Sequence, residues 1–135
     1  MIKAEDLRIG DLVRYGMDIV SVLAVHSNGS VCFADGKDQI CVEQVLLEPI
    51  PLTQEILEKN GFEVAYPEKS YIKLFIGSPR RELIRFLSIE NWQTEWKVFL
   101  KYTNRANYVL LRFVNYVHEL QHILWVLGEN ANLKI

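Results

Sequence analysis

Residues 18–42 read DIVSVLAVHSNGSVCFADGKDQICV, and the fold turns on how this stretch pairs with itself. Ile19, Val20, Val22 and Val25 are β-branched, and Asn28-Gly29 follows at once. Asn-Gly between apolar runs signals a hairpin, because a type I′ turn needs positive φ at both central residues. Residues 30–34 form the returning strand, and Asp35-Gly36-Lys37-Asp38 turns the chain into a strand at 39–42. A four-residue loop sets Phe33 against Ile40 and Val31 against Val42. Both apolar pairs then share one face, as a buried face demands. The same register sets Cys32 opposite Cys41 on the other face.

Working outward, Leu12, Val13 and Tyr15 place a strand at 11–15, and the closely spaced short strands predict a small curled antiparallel barrel. Pro49-Ile50-Pro51 marks its exit, since proline offers no N–H to a ladder. Thr53 is placed to cap a helix at 54–60, with Leu52 and Leu57 stapled across the cap and Gly61 closing it. Aromatic and branched residues then predict an antiparallel meander at 62–66, 71–76, 83–89, 96–102 and 108–113. Its connectors are Pro67-Glu68-Lys69, Gly77-Ser78-Pro79, Glu90-Asn91 and Thr103-Asn104. Residues 82–87 read either as strand or as a helix start after Pro79. A last helix spans 116–127, with Asn115 as N-cap and Gly128 beyond its end. At about 100° per residue, Tyr116, Val117, Leu120, Ile123, Leu124 and Leu127 share one arc, which is expected to pack on a sheet.

The chain has 135 residues, is 50% hydrophobic and 24% charged, and carries a net charge of −2. That suffices for a core, argues against disorder, and supplies no global field toward nucleic acid or membrane. No apolar run approaches the ~18 residues of a membrane span, and the polar start lacks a signal-peptide core. A cytoplasmic chain with no membrane partner is expected. Cys32 and Cys41 are accordingly expected to be reduced thiols on paired strands. Charge is unevenly spread: residues 1–61 are acidic on balance and residues 62–135 basic. No P-loop, G-x-G-x-x-G, G-x-S-x-G or C-x-x-C occurs.

His118-Glu119-Leu120-Gln121-His122 is a literal H-E-x-x-H. On a helix it sets two imidazoles one turn apart, able to share a zinc, with the glutamate as general base for a bound water. A catalytic zinc needs a third protein ligand. The extended motif would put glycine at 125 and histidine at 128, where the chain has Trp125 and Gly128. Glu129 lies two turns on along the same helix, and His26 is the remaining histidine. The two imidazoles also fall opposite the apolar arc. Zinc hydrolysis is therefore an alternative, and no catalytic residue, metal or cofactor is assigned. His118, His122 and Trp125 are expected instead to form an exposed interaction patch, for an unknown protein partner or a homodimer, unless the N-terminal barrel folds back over it.

A second alternative uses the basic half. Arg80, Arg81, Arg85, Lys97, Lys101 and Arg105, interleaved with Trp92, Trp96 and Tyr102, can line a nucleic-acid contact face, because aromatics among cations suit single strands. The competing reading has core aromatics alternating with solvated charges.

Three stretches carry a family likeness: Leu7-Arg8-Ile9-Gly10-Asp11-Leu12-Val13, Pro49-Ile50-Pro51-Leu52-Thr53 through Gly61-Phe62, and Tyr116-Val117-His118-Glu119-Leu120-Gln121 followed by Leu124. The chain resembles a group of short uncharacterised Bacteroidales proteins found near phage-like or mobile elements. That group typically has glutamine at the Glu119 position and asparagine at the His122 position, so the resemblance implies that the metal-like motif arose by drift. It also implies an accessory role in phage or mobile elements, and it transfers no catalytic residue. The Ile9–Val13 opening is similar to the first strand of small SH3-like barrels, a likeness of fold alone. The expected fold is α+β: an SH3-like small β-barrel over 1–50, then over 51–135 a short helix and an antiparallel sheet covered by the C-terminal helix. The expected role is a non-enzymatic binding or adaptor module.

Overall fold

Backbone pairing over residues 12–48 follows the apolar pattern. The computed structural model describes residues 2–65, 70–74, 85–92, 95–102 and 108–135. Strands β1 (Leu12–Tyr15), β2 (Asp18–Val25), β3 (Ser30–Asp35), β4 (Asp38–Glu43) and β5 (Leu47–Glu48) form an antiparallel sheet in the order β4-β3-β2-β1-β5, curled into a half-barrel. The β3–β4 register is Val31↔Val42, Cys32↔Cys41 and Phe33↔Ile40, as the two apolar pairs require. The connecting loop is shorter than expected, because Asp35 and Asp38 pair and leave Gly36-Lys37 as the turn. At Asn28-Gly29 the hairpin forms through three residues rather than a two-residue type I′ turn. Gly29 N–H bonds His26 O at 3.0 Å, and Gly29 takes φ +88°. The Asn28 side chain caps the turn by accepting from Ser30 N–H at 3.0 Å.

This half-barrel belongs to a first compact unit, Met1–Pro51 with Tyr116–Asn132. Its core gathers Val13, Val22, Val31, Phe33 and Leu47 with Ile2, Ala4 and Leu7 from the N-terminal segment. Each such burial contributes roughly 1.5–3 kcal/mol for a large apolar side chain. The rings of Tyr15 and Phe33 pack 5.1 Å apart. Strand β5 has only two residues, and its Leu47 fills the core from the sheet edge.

The C-terminal helix α2 (Val117–Val126) was expected over the second sheet but belongs to the first unit. It enters beside the barrel exit, where Pro51 bridges Tyr116 and Val117 N–H bonds Ile50 O at 2.8 Å. The N-cap is Tyr116, not Asn115, since Glu119 reaches back to accept from Tyr116 N–H at 3.1 Å. Val117, Leu120, Ile123 and Leu124 are buried as the apolar arc predicts. Leu127, at the C-cap, is only half-buried, and Tyr116 is exposed.

The second unit is Leu52–Asn115 with Leu133–Ile135. Helix α1 (Gln54–Lys59) starts on Thr53, whose hydroxyl accepts from Ile56 N–H at 3.3 Å; Leu52 and Leu57 are both buried, as a staple requires. Asn60 ties down the chain's last residues: its amide bonds Lys134 N and O, both at 2.7 Å. Strands β6 (Glu63–Ala65), β7 (Ser70–Leu74), β8 (Arg85–Trp92), β9 (Glu95–Tyr102) and β10 (Val109–Val114) form the expected meander, in the order β10-β9-β8-β7-β6. Residues 85–87 are strand, so a helix there is not formed; residues 75–84 and the connectors 67–69 and 103–104 lie outside the described set. Glu90-Asn91 is not a connector. Glu90 pairs Lys97 and Asn91 pairs Trp96, opposite charges across a ladder, and β8 runs on to Trp92. Leu87, Ile89, Trp96, Val98 and Val114 are buried, and Trp96 Nε1–H bonds Leu52 O at 3.0 Å. Burial, and secondarily the Glu58 carboxylate, pushes the Tyr71 phenol above its ordinary pKa.

Thr53→Ala removes the α1 cap and is expected to cost roughly 1 kcal/mol. Denaturant unfolding checks this, and an unchanged midpoint would contradict the capping role.

Candidate functional site

The site is built where the chain first turns into the half-barrel. Gly10 adopts φ +95°, so Arg8–Leu12 bends sharply before β1 begins. Gly10 N–H bonds Val22 O at 2.8 Å, and Val22 N–H bonds Asp11 O at 2.9 Å, which anchors the bend to β2. The bend leaves Gly10 O and Leu12 N–H without strand partners. Gln121 of α2 supplies both: its Oε1 accepts from Leu12 N–H at 2.8 Å and its Nε2 donates to Gly10 O at 3.1 Å. Nε2 also donates to Ala131 O at 3.0 Å, holding the segment after the helix. Gln121 is buried and fully bonded, as a polar group removed from water must be.

Asp11 completes the arrangement. Its carboxylate is buried, and Oδ2 accepts from Arg8 N–H at 2.8 Å and from His122 Nε2–H at 2.6 Å. A buried carboxylate is tolerated only with such partners. One turn earlier, the His118 ring stands edge-on to His122 at 5.8 Å and stacks on Tyr116 at 5.9 Å. His118 is 7% exposed.

Asp11, Gln121 and His122, but not His118, line a cavity of about 510 Å³ together with Arg8, Ile9 and Trp125, among others. That is within the roughly 300–1,000 Å³ range of ligand pockets. At its rim Trp125 is 66% and Ile9 76% exposed. The Arg8 guanidinium lies 4.9 Å over the Trp125 ring.

The expected exposure of His118 and His122 beside Trp125 is therefore corrected. Trp125 is exposed, but His118 is buried and His122 is held by Asp11, because the N-terminal bend folds over the helix's polar face. Asp11, Gln121 and Arg8 were not singled out from sequence; the only local trace is a glutamine and a histidine adjacent on a helix, with no sign of their partners some 110 positions away.

Among the described residues, His118 and His122 do not converge on one point with a third donor, Asp11 included. One group that does lies elsewhere: His26, Cys32 and Cys41. The expectation of reduced cysteines is also corrected, because Cys32 and Cys41 form a disulfide, their Cα atoms 4.0 Å apart across the ladder. The predicted register brought them face to face, and nothing in a register fixes redox state.

Of the basic residues singled out, Arg80, Arg81 and Arg105 lie outside the described residues, as does the Arg85 side chain. Lys97 and Lys101 share one face of β9. Lys97 lies 5.5 Å over the Phe113 ring; Lys101 lies 5.5 Å over Phe99, 5.1 Å over Tyr108 and 3.7 Å from Glu90. Trp96 does not interleave with them, being buried on the opposite face, and Tyr102 shares that face's parity. The aromatics among the lysines are Phe99, Tyr108 and Phe113. No described helix is long and apolar enough to cross a membrane.

No protein-family model, curated protein or solved structure matches the chain.

Gln121→Ala strands Leu12 N–H, Gly10 O and Ala131 O at once, and is expected to cost about 3 kcal/mol, in line with the desolvation penalty of unsatisfied buried groups. Thermal and denaturant melts read this out. Glu119→Ala, which removes the acceptor of the Tyr116 N–H, serves as the comparison and is expected to cost about 1 kcal/mol or less.

Proposed function

We propose that the first unit is a non-enzymatic binding module that docks a segment of a partner protein in the cavity beside Trp125. The observation that carries this is the rim: a tryptophan 66% exposed, an isoleucine 76% exposed, and a guanidinium laid over the indole. Leaving so much apolar area in water forgoes burial worth on the order of 2–3 kcal/mol for the indole alone. Trp and Arg are also the side chains that most often anchor protein interfaces. Among the described residues Arg8 has no ion pair, so its charge is available to a carboxylate. The fitting occupant is an extended segment with an aromatic or aliphatic side chain next to an acidic one.

The strand order, with a 3₁₀ turn at Gln44–Leu46 leading into β5, supports reading the half-barrel as SH3-like, a fold used widely for such docking. We infer a partner among phage-like or mobile-element proteins from the resemblance to the Bacteroidales group, and a cytoplasmic residence is part of the same proposal.

Selection from a displayed random-peptide library, counter-selected with Trp125→Ala, tests the proposal. Enriched peptides should carry the apolar-acidic pairing and bind the variant at least about tenfold more weakly, as expected for loss of a central anchor. Peptides that bind the variant equally well would overturn it.

A second reading has its own observation, the Lys97–Phe99–Lys101 face of β9 with Phe113 and Tyr108 beside it. Cations over aromatic rings form a platform on which bases of a single strand can stack. Affinity for a single-stranded oligonucleotide should then fall steeply with salt, and Phe99→Ala should cost roughly 1–3 kcal/mol per stacked base. Salt-insensitive binding, or none, dismisses this reading.

A further inference from the structure

Three adjacent strands bring His26, Cys32 and Cys41 to one face of the first sheet. Cys32 lies opposite Ala24 on β2 and opposite Cys41 on β4. His26 stands two residues beyond Ala24, so it projects from the same face. Its Nε2 is 3.2 Å from Cys32 Sγ, and one donor atom from each of the three residues lies within 4.8 Å of the others. Cys32 is fully buried, whereas Cys41 and His26 are exposed, so the cluster has a closed floor and an open side.

We propose that His26, Cys32 and Cys41 form a redox-gated zinc site, closed while the two sulfurs are bonded to each other and competent once that bond is reduced. Two thiolates and an imidazole are the donor set that a borderline-soft d¹⁰ cation prefers over hard cations. Zinc bonds of about 2.3 Å to sulfur and 2.0–2.1 Å to nitrogen imply, for tetrahedral angles, separations of roughly 3.8 Å between sulfurs and 3.5 Å between sulfur and nitrogen. The His26–Cys32 pair already stands near the second value. The cysteines reach the first by side-chain rotation once the bond between them is gone, with the strand register unchanged. Three protein ligands leave the fourth position, on the exposed side, to water.

The chemistry balances with a dithiol reductant. The reductant transfers two electrons and two protons and leaves as its own disulfide; the Sγ–Sγ bond breaks and two thiols form. Zinc then displaces both thiol protons to solvent. The reverse step needs a disulfide oxidant, which takes back the electrons as the zinc departs. The sequence motif pointed to His118 and His122 as metal ligands, while this site uses the third histidine instead.

The test uses the full chain, reduced with a phosphine that is then removed without air, and titrated with Zn²⁺ against a chromophoric chelator. One equivalent should bind the reduced chain at least about a hundredfold more tightly than the disulfide form, since the ligands must be thiolates. Cys41→Ser and His26→Ala should each weaken binding at least about tenfold, as loss of one of three ligands requires. Equal affinity of the reduced and oxidised chains, or binding that survives either substitution, overturns the site. Should reduction unfold the chain, circular dichroism decides: refolding on one equivalent of zinc supports the site, and failure to refold overturns it.

Discussion

The first unit depends on one side-chain amide, Gln121, meeting backbone, and one carboxylate, Asp11, meeting the His122 ring, each across some 110 residues of sequence. The bend at Gly10 cannot complete a strand ladder, and without help it would bury a carbonyl and an N–H beside the core. Gln121 satisfies both, and Asp11 in turn is satisfied by Arg8 N–H and His122. Each link is a bond whose absence would strand a buried group, so the network is all or nothing. It fixes where β1 begins, which way α2 is rotated, and where the segment after the helix lies. The chain leaves the half-barrel at Pro51 and comes back at Tyr116, so α2 reaches this network only after Leu52–Asn115 of the second unit has been laid down between them.

The same constraint makes a cavity rather than a filled groove. Bonding commits Gln121 and His122 to the N-terminal bend, while Trp125, one helical turn on from Gln121 on the same face, lies beyond that cover and stays exposed. A helix whose polar face is covered by chain on one side and left open on the other acquires a rim. The exposed indole and the guanidinium above it are what remains when the covering segment stops at Arg8.

Much of this was legible from sequence wherever the determinant was local. The β3–β4 register followed from two apolar pairs and a turn, because a slip of one residue would expose both pairs. The α1 cap followed from Thr53 and the flanking leucines. Where polar residues sit inside a ladder or serve distant partners, sequence misled. Glu90-Asn91 reads as punctuation, yet β8 runs through it to Trp92, with Glu90 paired to Lys97 and Asn91 to Trp96. Strand β5 is two residues long and carries no alternation to detect. Helix α2 was assigned to the nearer sheet by adjacency, whereas its polar residues have their partners at Gly10, Asp11 and Leu12. The cysteine pairing was legible and its oxidation was not, since the first is geometry and the second is chemistry supplied from outside the register.

The five letters that spell a metal motif show how far such a pattern underdetermines its use. His118 stacks on Tyr116, Glu119 caps the Tyr116 N–H, Leu120 enters the core, Gln121 closes the bend, and His122 holds Asp11. The spacing that would converge two imidazoles on an ion also sets a glutamine between them in sequence, and that glutamine points at the backbone of residues 10–12. Helical geometry alone accounts for this division: residues one and three apart from the first histidine point to different neighbours, and each neighbour here exerts its own demand. A motif defined by spacing on one helix says which side chains share a face. What that face does is decided by the segment laid against it, and in this chain that segment is the bend at Gly10.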